Sequence, residues 1–203
     1  MAIDASLAMV ARMKERARAT GLVIEALTMD GQDLALADQS FDAAISVLGV
    51  ILFPDAVCGL SELRRVVRPG GRIALVTWTA PEAYELIGEL RAAAMSVLGN
   101  LPSRPLPAQL RFKERTEFQA LFAAAGLPSA EIFEVTAELM APSPGWLAER
   151  LAFAPGMAGF VDGFGAAKPE VIAAFRRRLE TTRGAQHISL SGRAFLGSAT
   201  VTQ

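Results

Sequence analysis

The feature that most constrains this chain is the regular exchange of short apolar runs with stretches of helical periodicity. Ala2-Ile3-Asp4 reads as the end of a strand, and Ser6 as the N-cap of a helix with Val10, Met13 and Ala17 on one side. Arg12, Lys14, Arg16 and Arg18 take the other side, and Gly21 stops the helix. Strand runs follow at Leu22 to Thr28, Phe41 to Leu48 and Arg72 to Trp78. Asp55 caps a helix whose inner face uses Val57, Leu60, Leu63 and Val67, and Pro69-Gly70-Gly71 turns the chain tightly into the next strand. Ile73-Ala74-Leu75-Val76 is apolar at every position, as in a strand buried on both faces. Strands alternating with helices call for right-handed crossovers, so the predicted fold is α/β: a doubly wound, mostly parallel sheet.

The second half continues the pattern less regularly. Pro81 starts a helix to about Leu98, and three prolines make Asn100 to Pro107 a loop. Thr116 caps a helix carrying Phe118, Leu121, Phe122 and Ala125, closed by Gly126, and the strand Ile132 to Leu139 follows. Ser143-Pro144 opens a helix with Trp146 and Leu147, whereas the glycine-rich Pro155 to Gly165 reads as irregular. It is no phosphate loop, because no strand leads into it. Pro169 starts a helix with Val171, Ile172, Phe175 and Leu179 inside, and His187 to Val201 is the closing strand. The 203 residues suit a single domain, 1–203, with cap or insert segments at about 82–112 and 143–167.

Charge and composition exclude several classes. A net charge of −1 with mixed signs gives no nucleic-acid footprint, and Arg176-Arg177-Arg178 reads as a solvated helix face. The single cysteine, Cys58, allows no intrachain disulfide and no cysteine-cluster metal site, and reads as a small buried apolar group. No apolar run reaches the ~18 residues of a membrane span, and no signal peptide is legible, so a cytoplasmic location is expected. His187 has no acid or nucleophile near it in sequence, which argues against catalysis. Trp78 and Tyr84 read equally as core or as the lining of a substrate pocket.

The stretch from Met29-Asp30-Gly31 to Ser40-Phe41-Asp42, then Phe53-Pro54-Asp55, then Glu62-Leu63-Arg64-Arg65-Val66-Val67-Arg68-Pro69-Gly70-Gly71-Arg72, resembles class I S-adenosylmethionine-dependent methyltransferases. The likeness is to the methyltransferase type 11 group, which includes ubiquinone and menaquinone biosynthesis enzymes. Order and spacing agree over about residues 3–80; beyond Ala80 the likeness is architectural and includes a terminal antiparallel strand pair. The resemblance implies a Rossmann-like fold, S-adenosylmethionine as cofactor, and methyl transfer to a small, apolar molecule. It implies that Asp4, with Ala5 beside it, accepts hydrogen bonds from the cofactor's ribose hydroxyls, a role a carboxylate can fill twice over. The plain alternative is that Asp4 favours the positive end of the helix after it. Asp30 is similar to the residue that meets the adenine amino group, with Gly31 leaving room for the base; an ordinary Asp-Gly turn is the alternative. Val47, Leu48 and Gly49 would lie beside the methionine part, at the carboxyl ends of the strands, where open α/β sheets bind ligands. Leu48 alone also reads as core, and Met9 as packing. No general base and no metal ligands are named.

The same resemblance implies a first strand, a Gly-x-Gly-x-Gly loop and a first helix ahead of Asp4, and no such residues precede it here. The expectation is therefore an N-terminally truncated or mis-started chain with little activity alone. The family's sheet order, 3-2-1-4-5-7-6, puts that strand at the centre, and its loss leaves two inner edges to satisfy. Three outcomes stay open: the flanking strands close on each other, another chain pairs there (a homodimer included), or residues 2–4 form no strand. The alternative function is a non-catalytic remnant or interaction module without cofactor binding. A nicotinamide dehydrogenase would need a dinucleotide fingerprint that is also missing.

Overall fold

The computed structural model describes residues 1–101, 110–152 and 155–202. In chain order the elements are β1 (Ala2–Asp4), α1 (Leu7–Ala19), β2 (Ala26–Thr28), β3 (Phe41–Val47), α2 (Ala56–Val66), β4 (Val67–Trp78) and α3 (Glu85–Leu98). There follow α4 (Arg115–Ala124), β5 (Glu131–Ala141), α5 (Pro144–Glu149), α6 (Pro155–Asp162), α7 (Lys168–Arg183) and β6 (Ile188–Thr200). They fall into two compact units. The first comprises Met1–Val76, Arg115–Phe133 and Leu196–Gln203; the second comprises Thr77–Glu114 and Glu134–Phe195. The candidate cap segments, 82–112 and 143–167, both belong to the second, and residues 102–107 of the proline loop lie outside the described residues.

In the first unit β1 and β2 pair in parallel, with Ala2 opposite Ala26 and Asp4 opposite Thr28. The strand expected from Leu22 starts only at Ala26, because the three residues of β1 offer no partners further back. Ser6 caps α1, accepting from the Met9 amide at 3.4 Å. β3 runs parallel to β4, from Ala43 opposite Arg72 to Val47 opposite Val76. The tight turn expected at Pro69-Gly70-Gly71 is instead an irregularity inside β4, between the pairs Phe41–Val67 and Ala43–Arg72. Its chemistry explains two motifs at once. A Cβ on Gly71 would lie 2.6 Å from the Asp42 carbonyl oxygen, Gly70 sits at φ +81, and the Asp42 carboxylate accepts from Arg68 Nε at 2.6 Å. Ser-Phe-Asp and Pro-Gly-Gly are thus two sides of one strand junction.

The buried face of α2 is Ala56, Gly59, Leu60 and Val66, while Val57, expected inside, is exposed. The helix is turned so that Gly59 meets the Phe53 ring, and Val67 is buried as the first residue of β4 rather than on the helix. α4 packs against α2 and buries Phe118, Leu121 and Phe122; the two phenyl rings meet edge to face at 5.3 Å. It begins at Arg115, so Thr116 is its second residue and no cap.

The second unit is built on α3 and α7. Leu86, Leu90, Ala93 and Ala94 pack in one core cluster with Val171, Phe175 and Leu179. The helix expected from Pro81 is broken at Tyr84, whose backbone makes a β-bridge to Gly192. The segment expected to be irregular, Pro155 to Gly165, contains the helix α6. Met157, Phe160, Val161 and Phe164 recur at helical spacing and pack on the α3–α7 core, and that burial outweighs the ~1 kcal/mol cost of each interior glycine. Ser143 caps α5, accepting from the Trp146 amide at 3.1 Å. Glu85 ties α3 to its neighbours, accepting from the Ser191 amide and from Arg183, each at 2.7 Å. These two partners, the amide first, hold its carboxyl below the ordinary value.

The strand order is β1-β2 in one sheet and β3-β4-β6-β5 in the other. β6 runs against β4: Arg72 donates to Ser198 Oγ, whereas Thr79, later in β4's direction, donates to the Arg193 carbonyl. It also runs against β5, where Ser189 bonds Glu138 and Arg193 bonds Glu134. The fold is therefore α/β with a mixed sheet ending in an antiparallel pair. Among the described residues β1 pairs with β2 alone and β3 with β4 alone, so flanking strands do not close on each other and residues 2–4 are a strand. On β3 the alternate residues Ala43, Ile45 and Val47 are exposed.

Candidate functional site

Three strand ends of the first unit carry the residues singled out by sequence. Asp4 ends β1, and its carbonyl accepts from the Met29 amide at 3.1 Å, which sets it beside the start of the Asp30 turn. Its Oδ1 accepts from the Ser6 amide at 2.8 Å, while Ala5 between them is exposed. Asp30 repeats the arrangement after β2: its Oδ1 accepts from the Gln32 amide at 2.9 Å. Each carboxylate is thereby fixed through one oxygen to its own backbone, in the manner of an Asx turn, and keeps the second oxygen as a free acceptor among the described residues.

The Asp30 turn is joined to the segment after β3. Gln32 Oε1 accepts from the Asp55 amide at 2.8 Å, and a Cβ on Gly31 would stand 2.3 Å from Phe53 Cζ. The room that Gly31 leaves is filled by that ring, a reason for the glycine that spacing alone does not disclose. At the end of β3, Leu48 adopts φ +59, a left-handed conformation that costs a bulky residue ~1–2 kcal/mol. Its amide donates to the Val76 carbonyl at 3.2 Å, and Ser46 Oγ accepts from the Val50 amide at 3.0 Å, so both sides of the kink are held. Val47, which an apolar run alone assigns to the core, is 66% exposed; Leu48 and Gly49 are half-buried.

A polar clamp from α2 holds the rest of the loop. Glu62 Oε2 accepts from the Leu34 amide at 2.8 Å. Arg65 donates to the carbonyls of Leu34 and Leu36, to Asp38 and to Glu62, at 2.6–2.8 Å. The Arg65 side chain, then its own desolvation working the other way, then the Leu34 amide, set the Glu62 carboxyl below its ordinary value of 4.5. Hydrogen bonds donated to Glu62 and Asp38 raise the Arg65 pKa. Cys58 is half-buried and its thiol donates to the Gln32 carbonyl at 3.2 Å, a polar role where a purely apolar one is expected. Sequence reading missed Gln32, Phe53 and this clamp. Only the three-residue spacing of Glu62 and Arg65 on one helix hinted at a pair.

Other candidates lie elsewhere. Trp78 and Tyr84, in the second unit, meet edge to face at 5.1 Å. The Tyr84 hydroxyl accepts from the Thr79 amide at 2.9 Å and donates to the Arg193 carbonyl, and its ring occupies the space over Gly192. Burial raises its pKa, and the residue pins a strand through the Arg193 carbonyl. His187 is exposed at φ +50 with its amide on the Pro142 carbonyl, and among the described residues its side chain has no hydrogen-bond or ion-pair partner. Met9 is exposed. Among the described residues no cluster of acids, cysteines and histidine could hold a metal ion.

The methyltransferase domain family matches residues 1–75, from β1 into β4. Over these residues the chain is similar to the class I, S-adenosylmethionine-dependent methyltransferases. An uncharacterised protein of Mycobacterium tuberculosis is 34% identical over 104 residues, 51% of this chain and 38% of its own length. The demethylmenaquinone methyltransferase of Thermus thermophilus is 32% identical over 136 residues, 65% of this chain and 62% of its own. The chain thus spans under two-thirds of the length of either relative. The crystal structure of the YcgJ protein from Bacillus subtilis covers 99% of this chain and 81% of that one, at 20% identity and a TM-score of 0.55, which supports the fold.

Proposed function

We propose that the first unit supplies the adenosine side of an S-adenosylmethionine site, and that the protein passes the cofactor's methyl group to a small, apolar acceptor. The observation that carries this is the pair of carboxylates at adjacent strand ends, each anchored through Oδ1 and open at its second oxygen. In this reading Asp4, with Ala5 beside it, accepts from the ribose hydroxyls and Asp30 from the adenine amino group. The strained, held turn at Val47, Leu48 and Gly49 borders the methionine part. Bound S-adenosylmethionine supplies an electrophilic methyl group on a cationic sulfur. The protein's own share is orientation and exclusion of water, with base catalysis where the acceptor carries a proton. The Thermus relative, named for demethylmenaquinone, supports an apolar acceptor.

The site is completed, in this account, by a strand, a glycine-rich loop and a helix from outside these 203 residues. The free edges of β1 and β3 and the uncovered Ala43, Ile45 and Val47 support this, since a sheet of this type is paired and covered on both faces. An in-frame glycine-rich coding stretch upstream of Met1 is the expected finding, and an in-frame stop with no such stretch would sink the mis-start. The same free edges also favour a second reading, a non-catalytic interaction module that pairs with a further chain or with its own copy. Calorimetry separates the two: saturable binding of S-adenosylmethionine, lost in Asp30→Ala, supports the cofactor site, and its absence from the chain together with its upstream segment supports the module.

A further inference from the structure

Helix α1 concentrates unpaired cations. Arg12, Lys14, Arg16 and Arg18 are all exposed against one carboxylate, Glu15, in a chain whose net charge is −1. None of the four makes an ion pair among the described residues, whereas Arg65, Arg68, Arg176, Arg178, Arg183 and Arg193 do. Only Val10 and Ala17 of α1 are buried. Arg12 and Arg16, four residues apart, form one flank, and Lys14 and Arg18 the other; the ridge between them carries Ala8, Ala11, Glu15 and Ala19. Exposed apolar side chains lie near these cations in sequence. Leu7 and Met9 are exposed in the first turn, and just past the helix Leu22, Val23 and Ile24 stand outside the β2 ladder, Val23 at full exposure.

We propose that α1 and residues 22–24 form a docking surface for an anionic lipid bilayer. The four cations meet the phosphates of the headgroups, and Leu22, Val23 and Ile24 enter the boundary between headgroups and acyl chains. A nucleic acid would use the cations but has no place for three consecutive exposed apolar side chains. The inference is independent of the cofactor reading, because it uses the outer side of α1 and none of the strand-end carboxylates.

Co-sedimentation with phosphatidylcholine vesicles, with and without phosphatidylglycerol, tests it. Binding to the anionic vesicles is expected, weakening with added salt, with little binding to phosphatidylcholine alone. Each cation at such a surface contributes about a fivefold factor, so Arg12→Gln with Arg16→Gln should weaken binding about 25-fold with the circular dichroism spectrum unchanged. Val23→Asp should weaken it too, and Ile45→Asp, on β3, should leave it as it was. Equal binding to neutral and anionic vesicles, indifference to the arginine substitutions, loss of binding in Ile45→Asp, or tighter binding to a duplex oligonucleotide would each overturn the proposal.

Discussion

Gly31 and Gly59 lie against the same Phe53 ring, and a Cβ on either would come within 2.3 Å of it. Gly59→Ala should therefore cost about 1–3 kcal/mol of stability, read by thermal or urea unfolding, because the ring must move and takes the Asp30 turn with it. Combined with Phe53→Leu, the alanine should cost less than the sum of the two single changes. Glu62 predicts a pH effect with a definite sign. Its folded pKa lies below the ordinary 4.5, so its contribution is present above that value and lost as pH falls through the folded one. Acid unfolding below pH 4.5 should accordingly be shallower in Glu62→Gln, which has less left to lose. Arg65→Lys should lower stability by about 1–3 kcal/mol, since one ammonium cannot reach the carbonyls of Leu34 and Leu36, Asp38 and Glu62 together. At this scale the sequence disclosed which carboxylates stand at strand ends. It did not disclose that a phenyl ring fills the space beside Gly31 or that Leu48 is bent into a left-handed turn, because both depend on contacts distant along the chain.

Among the elements, periodicity located every strand and most helices, and it failed where tertiary contacts overrule local preference. The three-residue β1 shortens β2, the Tyr84–Gly192 bridge breaks the helix after Pro81, and packing on α3 and α7 makes a helix of a glycine-rich stretch. The exposure of Ile45 and Val47 was illegible for the same reason: apolar strand residues look alike whether or not something covers them. Hydrogen exchange gives this a test. β4 is paired on both sides and β3 on one, so the central amides of β4 should exchange much more slowly than the outward-facing amides of β3. Equal protection in the two strands would mean that β3 has a second partner.

On the scale of the whole molecule, the chain divides into two compact units. The second has a dense core of its own, and Phe175→Ala, at a fully buried position between α3 and α7, should destabilise the protein by about 3–5 kcal/mol. Among the described residues no helix is long and apolar enough to cross a membrane. The first unit holds the strand ends of β1, β2 and β3, within the residues that the methyltransferase domain family matches. The central proposal is that Asp4 and the Asp30 turn face the adenosine part of one cofactor surface and residues 47–49 its methionine part. Nitrogen-15 NMR of the labelled protein titrated with S-adenosylhomocysteine tests it most directly. The account predicts saturable shifts confined to residues 4–6, 30–32 and 47–50, and reduced by Asp30→Ala. Shifts centred on other residues, or none at ligand concentrations that saturate a weak site, would contradict it.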